Sequence, residues 1–317
     1  MPNGIHLKLR VNNLLHKYLM KITNSILIVL ICALVTSCSE KSKKKNVQPI
    51  TIVQKVDDLS KIIESEIGSF EKVVTLDHHR MAAEAGVYTP PSIAMIFSDP
   101  EINTNLVQQN QLVGLDLPFK VLCYSESDTL SAKFAYTSPD FIEKRHQLDV
   151  NSLKNYSSRL NTVVEKLPEK MNSPTNVSTV DKGFGIVKIK SDFDFVTSVR
   201  NLRNIVMAQD DTQWFADVDY QNEALLLGTE IRPTTLLLFG GPAPGGKAMM
   251  STPKIGLDAF CQKLLVYENE DGEVWIAYND IVAFSELYYQ SHTKPQQIIN
   301  QRLKITFTSA VTIQNTK

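Results

Sequence analysis

Residues 114–124 read GLDLPFKVLCY, and residues 256–267 read GLDAFCQKLLVY. Gly114-Leu115-Asp116 and Gly256-Leu257-Asp258 stand 142 positions apart; after one inserted residue Lys120 aligns with Lys263, Leu122 with Leu265 and Tyr124 with Tyr267. Working upstream at the same spacing, Asp77 meets Asp219, Ala82 meets Ala224, Gly86 meets Gly228 and Pro91 meets Pro233. Phe97 then meets Phe239 and Pro100 meets Pro242; downstream, Asp128 meets Asp271 and Ala135-Tyr136 meets Ala277-Tyr278. Self-similarity held at one spacing over this length marks a duplicated structural unit.

Each copy carries the same succession of local signals. The apolar runs Ser92–Phe97 and Thr234–Phe239, bounded by Pro and Gly, predict buried strands. Lys120–Tyr124 and Lys263–Tyr267 predict strands followed across acidic turns by Leu130–Tyr136 and Glu273–Tyr278. Asp271-Gly272 is a hairpin signal, because glycine tolerates positive φ. Ahead of these, the pattern predicts a strand (Ile50–Val56; Gly185–Lys190), a helix (Asp57–Ser69; Asp194–Met207) and a strand (Lys72–Asp77; Trp214–Asp219). Later helices are expected near Asn151–Leu167 and Pro295–Leu303. Hairpins without strict strand–helix alternation indicate an α+β class with a largely antiparallel sheet.

The chain has 317 residues, 43% hydrophobic and 21% charged, with 33 basic and 34 acidic groups. This is globular composition. Residues 1–38 hold Lys8, Arg10, Lys17 and Lys21 but no acid, leaving 29 basic against 34 acidic groups in the remainder. No basic footprint for nucleic acid results. Lys21 precedes an apolar run, Ile22–Val35, too short for a comfortable transmembrane helix, and then Thr36-Ser37-Cys38. A positive start, a short apolar stretch and small residues at its end describe a secretory signal. Val35-Thr36-Ser37-Cys38 resembles the lipobox of bacterial lipoproteins, in which the cysteine is lipidated; a plain membrane anchor is the alternative. Met20 directly precedes Lys21, so residues 1–19 read as an upstream mis-assigned start.

The expected organisation is therefore a signal peptide (1–37), a lysine-rich tether (38–46), a first repeat domain (47–167), a linker (168–180) and a second repeat domain (181–317). The expected location is a bacterial cell envelope, with Cys38 anchored in the outer membrane and the chain facing the periplasm. Cys123 and Cys261 lack metal or redox spacing. They read as buried free thiols in preference to a disulfide.

The repeated residues resemble the bacterial family known as domain of unknown function 302. Its pattern is matched in the second copy by Arg232-Pro233-Thr234, Phe239-Gly240-Gly241-Pro242, Gly256-Leu257-Asp258, Lys263, Asp271-Gly272 and Trp275-Ile276-Ala277-Tyr278-Asn279-Asp280. The first copy keeps Asp77-His78, Ala82, Gly86, Pro91, Phe97, Gly114-Leu115-Asp116 and Lys120. Tyr220 stands where the family has His, and Thr137-Ser138 replaces Asn-Asp. The resemblance implies a TATA-binding-protein-like α+β fold in two tandem copies, with no established activity.

Candidate chemistry is sparse. Gly241–Lys247 (GPAPGGK) imitates a phosphate loop. Ala248 replaces the hydroxyl residue that would hold Mg²⁺, and Pro242 and Pro244 remove backbone donors, which favours a Gly/Pro turn. Asp77-His78-His79 offers metal-ligand types without a supporting spacing, so no metal and no cofactor is expected. No nucleophile elbow is present. Asp77, His78, Asp258, Lys263, Tyr278, Asn279 and Asp280 are the ligand-binding candidates. Lys263 and Tyr278 are expected to line one concave surface with Asp258 nearby, although Asn279 and Asp280 equally fit helix capping and Lys263 a solvated strand edge. The leading expectation is a non-catalytic ligand- or partner-binding module, whose two repeats pack as a pseudo-twofold pair. The alternatives are an envelope hydrolase using His78 with Lys263 and Tyr278, and a structural envelope protein.

Overall fold

The computed structural model describes residues 50–260 and 262–313. The expected leader, Cys38, most of the tether and Cys261 lie outside the described residues. Residues 50–313 belong to one compact unit.

The first copy runs α1 (Ile52–Glu66), β1 (Glu71–Asp77), α2 (His78–Glu84), β2 (Ser92–Ser98), α3 (Pro100–Gln109), β3 (Phe119–Tyr124), β4 (Lys133–Tyr136), α4 (Pro139–His146) and α5 (Lys154–Val164). The second runs β5 (Ile186–Lys190), α6 (Phe195–Met207), β6 (Gln213–Asp219), α7 (Tyr220–Leu226), β7 (Thr234–Gly240), α8 (Pro242–Met249), β8 (Gln262–Glu268), β9 (Val274–Asn279), α9 (Ile281–Tyr289) and α10 (Lys294–Val311). Both sheets are antiparallel, ordered β1-β2-β3-β4 and β6-β7-β8-β9-β5. Their irregularities coincide. The β1 ladder shifts between Lys72 and Val74, and the β6 ladder between Trp214 and Ala216. Gly86 and Gly228 close equivalent turns at φ 73°, which side-chain-bearing residues rarely adopt.

One expected strand is absent. Ile50–Val56 is not extended: Thr51 caps α1 by accepting from the Gln54 amide, and Val56, Leu59 and Ile63 form its buried face. Spacing of three and four residues outweighs the β-branched start. The first sheet therefore has four strands against five. Where β5 covers β9 in the second copy, the chain after α5 covers β4, with Asn172 bridging Phe134 and the Ser173 amide donating to the Phe134 carbonyl. A second correction concerns Gly241–Lys247, expected as a Gly/Pro turn. Gly241 sits at the N-cap and Pro242 supplies a compatible φ, so this stretch is helix α8.

Side chains alternate across each strand. Leu237, Phe239, Leu264, Val266, Ile276 and Tyr278 pack under α6 and α10. Their neighbours Leu236, Leu238, Leu265, Tyr267 and Ala277 join the first copy's core. On the first sheet, Phe119 stacks on Tyr156 of α5, 4.7 Å between ring centroids. The layers are thus helices, sheet, sheet, helices. The contacts between copies are reciprocal: α2 packs on α8 and α3 on α7, while segment 111–115 seats on β7–β9 and segment 253–257 on β2–β4. A methyl group on Gly114 would stand 2.8 Å from Leu265 Cδ1 and 2.9 Å from Tyr220, and one on Gly256 would stand 3.3 Å from both Leu122 Cδ1 and His78 Cδ2. These glycines let each Gly-Leu-Asp turn lie against the other copy's sheet.

Candidate functional site

The Gly-Leu-Asp turns deliver Asp116 and Asp258 to the seam between the sheets, where both are sealed from solvent. Strand alternation then aims Lys120 and Lys263 at them. Lys120 Nζ donates to Asp258 Oδ1 at 2.8 Å and lies 3.9 Å from Asp116; Lys263 Nζ reaches the same Asp258 oxygen at 3.3 Å. Arg145, at the end of α4, donates twice to Asp116 at 2.8 and 2.9 Å, once to Asn279 Oδ1 at 2.6 Å, and through Nε to the Phe184 carbonyl. Its guanidinium lies beside the adjacent Phe141 and Phe284 rings, 5.6 and 5.1 Å from their centroids. His146 Nε2 is 2.6 Å from Asp116 Oδ2, and the Tyr288 hydroxyl donates to Asp258 Oδ2. Asn279 Nδ2 closes the network on the Asp258 carbonyl at 2.9 Å.

Three basic side chains, Lys120, Lys263 and Arg145, therefore face two carboxylates. Burial alone would raise both carboxyls. Arg145, His146 and Lys120 overcome this at Asp116 and hold it well below the carboxylate range, while Lys120 and Lys263 bring Asp258 down to about 2. The surplus falls on Lys263: burial first, and then the neighbouring Lys120 charge, push it down to about 7.

The remaining sequence candidates disperse. Leu264 pairs directly with Tyr278, so Lys263 and Tyr278 project from opposite faces of the sheet. The expected shared surface is not formed. Tyr278 packs edge-on against Phe307, with centroids 5.0 Å apart, and burial pushes its hydroxyl up to about 12. Lys263 is interior, not an edge guard. Asp280 caps α9 by accepting from the Ala283 amide, whereas Asn279 is no cap but the link between Arg145 and Asp258. Asp77 caps α2 and pairs with Arg80. His79 Nδ1 contacts the Thr89 carbonyl at 2.6 Å. Cys123 is a buried free thiol whose pKa burial raises. Arg145, His146 and Tyr288 escaped the sequence reading. Lys144-Arg145-His146 looks like an ordinary basic helix end, and only the second copy's position turns part of it inward.

His78 opens α2 and lies against Gly256 and Phe260 of the other copy. Among the described residues no hydrogen bond joins it to the ionic cluster; its buried Nε2 makes no well-formed hydrogen bond, and the Phe260 and Gly256 carbonyls are the polar groups beside the ring. Burial lowers its pKa to about 4, opposed by the charge of Asp77 and by the Phe260 and Gly256 carbonyls. At the matching place in the other seam, Tyr220 donates its hydroxyl to the Gly114 carbonyl at 2.9 Å. Where the first copy has His78, the second copy's Tyr220 thus carries its own hydrogen bond.

Open surface is available elsewhere. A groove of about 590 Å³ runs between the copies, lined by Gln108, Gln109, Asn110 and Gln111 of the first and Glu230, Arg232 and Glu270 of the second. A second hollow of about 410 Å³, lined in part by Asp219, Gln221 and Asn222, shares Glu230 and Ile231 with it.

A family described as a domain of unknown function, DUF302, matches residues 48–167 and again 187–306. A crystal structure of an uncharacterized conserved DUF302 protein from Bacillus stearothermophilus is similar over 40% of this chain and 95% of its own, at 12% identity and a TM-score of 0.33. Two proteins named fluoride-specific ion channel FluC 1, from Brucella suis biovar 1 and Brucella abortus biovar 1, are each 34% identical over 77 residues. That stretch is 24% of this chain and spans 30% and 28% of those proteins, respectively.

Proposed function

Since this chain belongs to the DUF302 family, with two copies in one polypeptide, we propose that it is a non-catalytic binding module that takes a polar ligand in the groove between its copies. The observation that carries this reading is the division of labour among polar residues. Asp116, Lys120, Arg145, Asp258 and Lys263 are sealed and mutually paired, so a substrate could reach them only if the copies parted. The groove instead presents exposed Gln108, Gln109, Glu230, Arg232 and Glu270 around a volume suited to a small molecule. Amides, carboxylates and a guanidinium together match a ligand bearing both donors and acceptors.

The module is lipid-anchored through Cys38 at the cell envelope in this reading. Its support is the lipobox-like Val35-Thr36-Ser37-Cys38 and the lysine-rich tether. The segment shared with proteins named as ion channels is in keeping with work at a membrane. Among the described residues, no helix is long and apolar enough to cross one.

Native mass spectrometry after mild purification of the chain starting at Ser39 tests the binding site. A retained small molecule should be lost from Arg232→Ala and Gln108→Ala and kept by Lys263→Met. Retention by both groove variants would refute the location. Cys38→Ala should leave the chain unprocessed or soluble instead of lipid-anchored; unchanged detergent partitioning together with a mature N-terminus elsewhere would refute the anchor.

A further inference from the structure

Duplication provides two places for a groove between the copies, one after α3 against the approach to β7 and one after α8 against the approach to β2. Only the first carries the polar set. At the spacing of 142 residues, Gln108, Gln109 and Gln111 correspond to Met250, Ser251 and Pro253, and Glu230 and Arg232 correspond to Tyr88 and Pro90. Glu270, counted past the inserted residue, corresponds to Ser127. The Gly-Leu-Asp turns and their lysines persist in both copies, because the seam is built on them. The groove's amides and charges occur at one place alone, so the shared fold does not require them.

These charges are also unspent. Among the described residues the Glu230, Arg232 and Glu270 side chains make no ion pair and no hydrogen bond, although both signs line one groove. Glu230 and Arg232 are two residues apart on the segment entering β7, so their Cα atoms lie at most about 7 Å apart and one small molecule can touch both. The wall behind them is braced. Gln111 Nε2 donates to Thr234 Oγ1 at 2.8 Å and to the Glu268 carbonyl at 3.0 Å, and the Thr234 hydroxyl donates to the Arg232 carbonyl at 2.9 Å. A fixed wall with free charged ends is preorganised for a ligand. The adjoining hollow, which shares Glu230 and Ile231, adds Asp219 and the 65% exposed Leu225. Together Asp219, Glu230 and Glu270 face the single guanidinium of Arg232, an excess of two negative charges.

This pattern discriminates among ligands. A simple anion would meet the carboxylates and a simple polyamine would meet Arg232, and like charges brought together reject a ligand. Among the described residues no aromatic ring lines either hollow, so the apolar face of a sugar finds no ring to stack on. A molecule with both signs and a surplus of positive charge is matched throughout. Resting on the groove reading above, we infer that the groove and its adjoining hollow bind the carboxyl end of a basic amino acid. The α-carboxylate sits on Arg232 and the neighbouring ammonium or peptide N–H on Glu270. The second cation, on an aliphatic stem lying over Ile231 and Leu225, sits between Glu230 and Asp219. A free basic amino acid and a peptide ending in one share this chemistry, and the Gln108 amide offers a peptide group both a donor and an acceptor.

The test is calorimetric titration of the full chain with L-lysine, alanyl-alanyl-lysine, norleucine and cadaverine; norleucine lacks the second cation and cadaverine the carboxylate. One equivalent of L-lysine or of the tripeptide should bind, and the tighter of the two identifies the source. Norleucine and cadaverine should bind at least about tenfold more weakly, the loss expected for one charge-assisted hydrogen bond. Arg232→Gln, with an unchanged melting temperature, should hold lysine no better than cadaverine. Glu230→Gln combined with Asp219→Asn, which keeps a capping oxygen on α7, should hold lysine no better than norleucine. Equal binding of all four compounds, or no binding of lysine and the tripeptide, would overturn this ligand class; the groove would still stand if Arg232→Ala loses a molecule that the wild type retains. Lysine binding unchanged in every groove variant would overturn the groove reading as well.

Discussion

Replacing Lys263 with methionine removes a buried charge from a strand in the middle of the protein and should nonetheless stabilise it. The reasoning starts from the imbalance of three cations against two carboxylates. Asp258 already has Lys120 at 2.8 Å and the Tyr288 hydroxyl, so it stays paired when Lys263 leaves. The methionine chain follows the lysine's path beside Leu236, Leu238 and Leu265, which share this face of the sheet. Because Asp258 keeps its other partners, the change resembles replacing a whole buried ion pair by apolar groups, often neutral or stabilising by about 1–4 kcal/mol, more than it resembles breaking a needed pair. Arg145→Met is the opposite case. It leaves Asp116 with only His146 and a lysine 3.9 Å away, and uncompensated buried charge costs about 3–5 kcal/mol. The pH dependence separates this account from simple packing. The folded pKa of Lys263 lies below its ordinary value of 10.5, so between about 7 and 10.5 the unfolded chain holds the extra proton and wild-type stability rises with pH. Lys263→Met lacks this rise. Its advantage should be largest at pH 6 and shrink towards pH 10. Urea denaturation at pH 6, 8 and 10 reads both effects. A Lys263→Met protein less stable than wild type at pH 6, or an advantage that grows with pH, would refute the reasoning.

Three further outcomes follow from the seam. Tyr220→Phe strips the Gly114 carbonyl of its buried donor and should cost about 1–3 kcal/mol in denaturant; no measurable loss would mean the carbonyl finds another partner. Gly246→Ala places a methyl group 2.6 Å from Ala82 Cβ where α8 meets α2. It should cost about 1–3 kcal/mol, with recovery in the Ala82→Gly double variant, and a double variant no better than the single would discount this contact. His78 is expected to sensitise the protein to acid. Its folded pKa of about 4 lies below the ordinary 6.5, so its contribution is complete above pH 6.5 and up to about 3 kcal/mol is lost as pH falls towards 4. His78→Gln should flatten that part of the stability curve, and an unchanged slope would contradict the burial of the ring.

Repetition is a property of the chain itself, so the sequence alone established the duplication, the α+β class and most strands. Gly86 and Gly228 mark the same turn in both copies because positive φ excludes most other residues there. The short segments were harder to read. Ile50–Val56 looked like a strand until the spacing of Val56, Leu59 and Ile63 found a sheet to pack against, and GPAPGGK looked like a turn although Pro242 suits a first helical turn. The candidate site divided the same way. Asp258 and Lys263 stood out because both copies keep them, but nothing local says that Lys263 and Tyr278 leave opposite faces of one sheet, since that depends on the register of β8 against β9. Nor could Arg145 be told from its exposed neighbour Lys144. Whether a charge on a helix end meets water or a carboxylate is decided by what the other copy brings to it, and that meeting joins Arg145 to Asn279 across 134 residues of chain.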